Sequence, residues 1–214
     1  MTQRELLISG ARDLGLDLSA GQVDSAFIFL TELKKWNRKI NLTAIREERD
    51  IIIKHVLDSL SYIRGFNPAP GLKLLDMGSG AGFPAFPIKI ARPEISVTLV
   101  ESVKKKASFL RHIVRTLKMT GVEVIDKRTE ELPPSYHATC DAVTARAFAD
   151  MSEALASGTP FLKPGGLMVL SRGPEETILE REMEKAGVSL EKRIALTLPH
   201  SDYKRAIWVF KKTG

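Results

Sequence analysis

The hydrophobic pattern changes character partway along this chain. Over residues 1–64 apolar positions recur three and four apart, the period of an amphipathic helix. Ser19-Ala20-Gly21-Gln22 has the form of a capping box and opens an amphipathic run through Trp36; a later helix is predicted from Glu47 to Tyr62. Gly65-Phe66-Asn67-Pro68-Ala69-Pro70-Gly71 then breaks the period and marks a boundary. Beyond it, short apolar runs alternate with helical stretches. Strands are predicted at 72–77, 96–101, 122–126, 141–145, 167–172, 190–198 and 206–211, and helices at 84–91, 103–119, 150–158 and 174–187. Pro164-Gly165-Gly166 makes a turn into the fifth strand. Such alternation argues for a mostly parallel sheet covered on both faces. The last two strands have no long helix between them and are placed to pair as an antiparallel hairpin around Pro199–Arg205. The expectation is an α/β chain with a helical extension over residues 1–65 and a seven-stranded sheet domain over residues 66–214.

One segment carries chemistry. Leu74-Leu75-Asp76-Met77-Gly78-Ser79-Gly80-Ala81-Gly82-Phe83-Pro84 reads as a buried strand, an acid, three glycines at alternate positions and a proline that can open a helix. This is where α/β folds bind nucleotide-like cofactors. About 25 residues beyond Asp76 a second apolar run ends in Glu101, where an acid meets ribose hydroxyls. A dinucleotide loop wants G-x-G-x-x-G, and counting from Gly78 the sixth position is Phe83, which misses it. Counted from Asp76 the pattern is D-x-G-x-G-x-G, the usual first motif of methyltransferases that use S-adenosylmethionine. A Rossmann-like class I methyltransferase fold is therefore expected, with Asp76, Gly78, Gly80 and Glu101 at the cofactor.

Composition narrows the partners. The 214 residues include 43% hydrophobic positions, enough for one core, and no apolar run approaches the roughly 18 residues of a transmembrane helix. The N-terminus lacks a signal-peptide core, and the single cysteine, Cys140, suits a reducing cytoplasm. Four scattered histidines give no metal-ligand spacing, so no metal is expected. The net charge of +6 is uneven: residues 101–128 hold eight basic and three acidic residues. Lys104, Arg111, Arg115 and Lys118 share one face of the predicted helix. That face is either a contact for RNA phosphates or a solvated surface.

Beyond the glycine loop the resemblance becomes specific. Asn41-Leu42-Thr43-Ala44-Ile45, His55-Val56-Leu57-Asp58-Ser59-Leu60, the loop itself and Ala145-Arg146-Ala147-Phe148 occur in that order. Over nearly its whole length the chain resembles the RsmG family, also called glucose-inhibited division protein B. The resemblance implies a bacterial methyltransferase that transfers a methyl group from S-adenosylmethionine to N7 of a guanine in a decoding-region loop of 16S ribosomal RNA. S-adenosylhomocysteine would be the product, and the small ribosomal subunit or its RNA the partner. It also implies cofactor contacts at Gly78, Phe83, Thr129, Glu130 and Arg146. The chain departs from the family after Pro84, where Ala85-Phe86-Pro87 replaces a repeated glycine, which puts Phe83 and Ala85 in question.

Guanine N7 carries a free lone pair and loses no proton on attack, so in-line transfer needs positioning rather than a general base. No catalytic residue is named on this reading. The Asn/Asp-Pro-Pro-aromatic motif of amine methylation is absent after strand four, and Cys140 reads as core rather than as a nucleophile. Several residues keep two roles open. Arg146 can hold an anion or form a structural ion pair. Phe148 can stack on a base or fill the core. His55 and Asp58 share a helix face and can simply fix the extension to the sheet. Functions that remain are a small-molecule methyltransferase and a non-catalytic RNA-binding module on the same fold. A monomer is the default.

Overall fold

The computed structural model describes residues 1–146 and 150–214; Phe148, with its stacking or core role, lies outside the described residues. The helical layer comprises α1 (Gln3–Asp13), α2 (Ala20–Asn37) and a third continuous helical run. That run starts as α3 (Glu48–Ile51), widens into a π-helical stretch (Ile52–Leu57), returns to α4 (Asp58–Ser61) and ends in a 3-10 turn (Tyr62–Arg64). The sequence predicts one helix over 47–62; the widened middle is not visible in the apolar spacing. The capping box at Ser19 is present: its hydroxyl accepts from the Gln22 N–H at 3.3 Å, and Gln22 Oε1 accepts from the Ser19 N–H at 2.8 Å.

The remaining elements are β1 (Lys73–Met77), α5 (Ala85–Ala91), β2 (Ser96–Val100), α6 (Lys104–Thr116), β3 (Val122–Ile125), β4 (Cys140–Ala145), α7 (Met151–Gly158), β5 (Leu162–Arg172), α8 (Glu180–Lys185), β6 (Val188–Thr197) and β7 (Lys204–Lys212). They form one seven-stranded sheet in the order β3-β2-β1-β4-β5-β7-β6. Strands β1 to β5 run parallel, and β7 is antiparallel to both β5 and β6. The order reverses between β1 and β4, so a crevice opens beyond their carboxyl ends, the usual ligand position of open α/β sheets.

Two predicted elements differ. The helix expected over 174–187 shrinks to Glu180–Lys185. Proline at 174 follows Gly173, and the preceding stretch is held open by the Arg172–Glu176 ion pair and by Arg193, which donates to the Pro174 carbonyl. Strand β5 begins at Leu162 rather than 167, because Pro164-Gly165-Gly166 bulges within it: Cys140 pairs with Leu162, yet Ala142 pairs with Leu167.

The helical layer and the sheet share one core. Leu6, Phe29 and Ile52 belong to the same buried cluster as Leu74, Val97 and Phe109. Phe29 on α2 sits 5.2 Å from Phe83 and 5.4 Å from Phe86, ring centre to ring centre. Burying each such ring is worth about 1.5–3 kcal/mol, which pins α2 over the glycine loop and α5. No helix among the described residues is long and apolar enough to cross a membrane.

Candidate functional site

At the end of β1 the backbone must turn sharply, and glycine permits it. Gly78, Gly80 and Gly82 have φ of +62°, +55° and +85°. A Cβ on Gly78 would meet nothing within 4 Å, so this position borders open space. A Cβ on Gly82 would lie 2.2 Å from the Phe86 ring, which tucks beneath the loop. Phe86 and Ala85 are themselves fully buried, so the departure from the family pattern packs inward, away from the crevice.

Glu101, at the end of β2, holds the loop in place. Its Oε2 accepts from the Gly80 N–H and its Oε1 from the Val103 N–H, both at 2.8 Å. The carboxylate is therefore fixed between the loop and the entry to α6, with lone pairs left for further donors. Asp76 is fully buried, and its Oδ1 accepts from the Thr144 hydroxyl at 2.8 Å, while Oδ2 has no hydrogen-bond partner among the described residues. Burial lifts this carboxyl to about 7, against the lowering effect of the Thr144 hydrogen bond. A small pocket of about 180 Å³ beside the loop is lined by Gly78, Val100, Ser102, Lys127, Arg128, Thr129 and Glu130. Of the residues expected at a cofactor, Gly78, Thr129 and Glu130 line this pocket, Gly80 and Glu101 are hydrogen-bonded to each other beside it, Asp76 is buried beneath the loop, and two lie elsewhere.

Phe83 and Arg146 belong to a neighbouring polar network. The Phe83 ring is buried and stacks on the His55 imidazole, centres 4.7 Å apart. Arg146 Nη2 donates to the Lys54 carbonyl at 2.6 Å and to His55 Nδ1 at 2.8 Å, and lies 3.3 Å from Asp58 Oδ2. A guanidinium only donates, so His55 Nδ1 accepts and its proton sits on Nε2, which donates to Thr43 Oγ1 at 2.7 Å. Burial and the Arg146 charge push His55 down to about 3, so it is neutral across the physiological range. Asp58, almost fully buried, also lies 3.3 Å from Arg205 Nε and accepts from the Ser171 hydroxyl at 3.1 Å. Two guanidiniums share one carboxylate, which leaves the network with a surplus positive charge. The ion pair with Asp58 gives Arg146 a structural role; Nη2 carries all of these contacts, and Nε and Nη1 have none among the described residues.

Sequence reasoning missed Thr43, Thr144, Ser171 and Arg205. One signal pointed at the last two: an aspartate in the apolar run of residues 51–60 must find cationic or hydroxyl partners if buried, and Asp58 finds Ser171 and Arg205.

The basic stripe of α6 spreads out. Lys104 starts the helix next to Glu101 and the pocket, but the helix is about 20 Å long. At its far end Lys118 lines a different hollow, with Ser19, Lys89 and Pro93. Arg111 is drawn inward to Asp126 at 3.4 Å, and Arg115 is exposed.

The comparisons with known proteins agree with this geometry. The family model described as rRNA small subunit methyltransferase G matches residues 22–207. A ribosomal RNA small subunit methyltransferase G from Geobacter sp. (strain M21) is 40% identical over 210 residues, covering 96% of each chain. One from Caldanaerobacter subterraneus subsp. tengcongensis is 39% identical over 213 residues, covering 97% of this chain and 89% of its own. Among solved structures, a SAM-dependent methyltransferase from Aquifex aeolicus superposes with a TM-score of 0.57 at 15% identity, covering 84% of this chain and 97% of that one. The [4+2]-cyclase SpnF gives 0.61 at 15% identity, over 92% and 97%. A shared fold at such identity leaves the chemistry open, whereas the match over nearly the full sequence does not: the chain belongs to the rRNA small subunit methyltransferase G family.

Proposed function

We propose that this protein methylates N7 of a guanine in 16S ribosomal RNA, using S-adenosylmethionine as methyl donor. The observation that carries the reading is the glycine loop tied to Glu101 beside an open pocket, in a chain of this family. The residues suit the donor. Glu101 is oriented by two backbone N–H groups and can accept from ribose hydroxyls; Gly78 gives room for close approach, and Thr129 and Glu130 flank the adenine side. Asp76, buried beneath the loop, acts from behind it by holding the end of β1 to Thr144. Bound there, S-adenosylmethionine supplies an electrophilic methyl group on a sulfonium.

The polar network supports a reaction that moves no proton. His55 has both ring nitrogens engaged and stays neutral, so it stands as a positioning residue rather than a base. Arg146 offers Nε and Nη1 to acceptor atoms such as guanine O6, a phosphate or the cofactor carboxylate. Holding nucleophile and methyl carbon in line can supply up to roughly 7–11 kcal/mol of the barrier. Lys104, at the mouth, Arg115, further down α6, and Lys118, past its end, are the remaining RNA contacts of this reading.

The test uses small ribosomal subunits from bacteria lacking the enzyme, incubated with the protein and methyl-labelled S-adenosylmethionine. Mass spectrometry of the digested RNA is expected to show 7-methylguanosine. A different methylated nucleoside removes the N7 assignment; no transfer to RNA, with the cofactor still bound, favours a small-molecule substrate.

A further inference from the structure

A hollow of about 460 Å³ opens in the helical layer, between the end of α2 and the loop carrying Asn41-Leu42-Thr43-Ala44-Ile45. Its floor is shaped by Asn37. Oδ1 of that amide accepts from the Leu42 and Thr43 N–H groups at 2.7 and 3.0 Å, and Nδ2 donates to the Thr43 carbonyl at 2.9 Å. Arg38, Asn41 and Arg46 stand exposed around the rim. Neither arginine has an ion-pair partner among the described residues. Lys34, also lining the hollow, is the one cation there already matched, by Glu48.

Thr43 adds a donor at the inner wall. Its Oγ1 accepts from the Ile45 N–H at 3.1 Å and from His55 Nε2 at 2.7 Å, which occupies both lone pairs. The hydroxyl proton is left to donate. The groups free to bind are thus two guanidiniums, a hydroxyl proton and the Asn41 amide, and no carboxylate lines the hollow among the described residues. Such a lining fits an anionic, acceptor-rich ligand, and guanidinium pairs match the oxygens of a phosphodiester.

The position decides which phosphodiester. Thr43 is separated from Arg146 by a single imidazole ring, with contacts of 2.7 and 2.8 Å on its two sides. The same ring stacks on Phe83 of the glycine loop. The hollow therefore adjoins the edge where the methyl group would be transferred. Resting on the function proposed above, we propose that it seats the backbone of the RNA strand one or a few nucleotides from the methylated base, with Arg38 and Arg46 on its phosphates. The motif built around Asn41 and Thr43 then serves substrate docking, not the cofactor.

The test measures binding of unmethylated small subunits, and of a synthetic hairpin of the target RNA, by the wild-type protein and by Arg38→Ala/Arg46→Ala, across a range of salt. The double variant is expected to bind RNA about tenfold more weakly or worse. Losing two phosphate contacts should flatten its plot of log K against log salt by about 1.5. S-adenosylmethionine affinity should stay within twofold, showing that the fold is intact, and the loss in turnover should fall on KM. A control, Arg181→Ala/Lys192→Ala, removes two exposed cations from α8 and β6. Unchanged RNA affinity and salt slope in the first variant, or an equal loss in the control, would overturn the assignment. The two readings separate cleanly. If wild-type protein binds RNA through Arg38 and Arg46 but methylates none, the activity falls and the hollow stands. If it methylates and the double variant matches it in KM and slope, the hollow falls and the activity stands.

Discussion

The glycine loop and the Arg146 network touch through one ring pair, Phe83 on His55, yet they are built on opposite principles. The loop is local. Residues 76–82 and one acid at the end of the next strand supply it, and backbone amides do most of the holding. The network is assembled from distant places: Thr43 and His55 from the helical layer, Asp58 from α4, Arg146 after β4, Ser171 from β5 and Arg205 from β7. One is a motif that a chain carries in a single stretch. The other exists only once the chain is folded, and its strength is charge against charge in a buried setting.

That contrast can be broken by experiment. The largest effect is expected at Asp58→Ala, which leaves two guanidiniums facing each other without their carboxylate. Breaking a buried pair in this way costs about 3–5 kcal/mol; the low end applies because Arg146 and Arg205 keep 23% and 29% of their side chains exposed. Urea unfolding would read this, and a loss below about 1 kcal/mol would show that the network is not what joins the helical layer to the sheet. Glu101→Ala should act on binding instead, weakening S-adenosylmethionine by about 1.5–3 kcal/mol, roughly 10- to 150-fold, by calorimetry. Unaltered affinity would leave Glu101 a brace for the loop alone.

The smallest effect concerns Asp76 in the cofactor-free protein. Its carboxyl titrates near 7 when folded and near 4 when unfolded, so between these values the folded chain holds the extra proton. Stability should therefore fall as pH rises from about 4 to 7 and level off above. Asp76→Asn should lose this component. Between pH 5 and pH 8 the wild type is expected to drop by at least about 1 kcal/mol relative to the variant, read from paired urea curves. Parallel pH profiles would show that Asp76 is ionised in the folded state.

The same contrast explains what was legible in the sequence. The strand carrying Asp76, the loop and Glu101 lie close along the chain and carry their own pattern of apolar run, acid and glycines, so their meeting at one place can be read directly. The β6–β7 hairpin and the seven strands were legible for a similar reason, as periodicity is a local property. The His55–Asp58 pair was visible as a shared helix face, but its partners were not, because nothing along the chain ties residue 43 to 55 or 58 to 205. The α6 stripe was legible only in part: helical spacing gives the direction of a side chain but not where the helix stops or how far along the sheet it sits. Lys104 opens α6, whereas Lys118 lies past its last residue, Thr116, with φ of +49°.

The π-helical stretch from Ile52 to Leu57 gives this molecule an unusual tolerance profile. It lies between α3 and the Asp58 anchor, and it holds His55 against both Arg146 and Phe83. A π turn holds more residues than an α turn, so deleting one here would close the stretch to an ordinary helix with α3 and α4 kept nearly in phase, whereas the same deletion in a plain α-helix would swing everything before it by about 100°. The cost would fall instead on His55, whose ring is wedged between Arg146 and Phe83 and would be re-aimed by the closure, although no side chain of the hollow had been altered. Along this turn a change of length is absorbed locally and is felt at one side chain. A conservative replacement of Ile52 or Ile53 is met by repacking, and a missing residue by closing the widened turn.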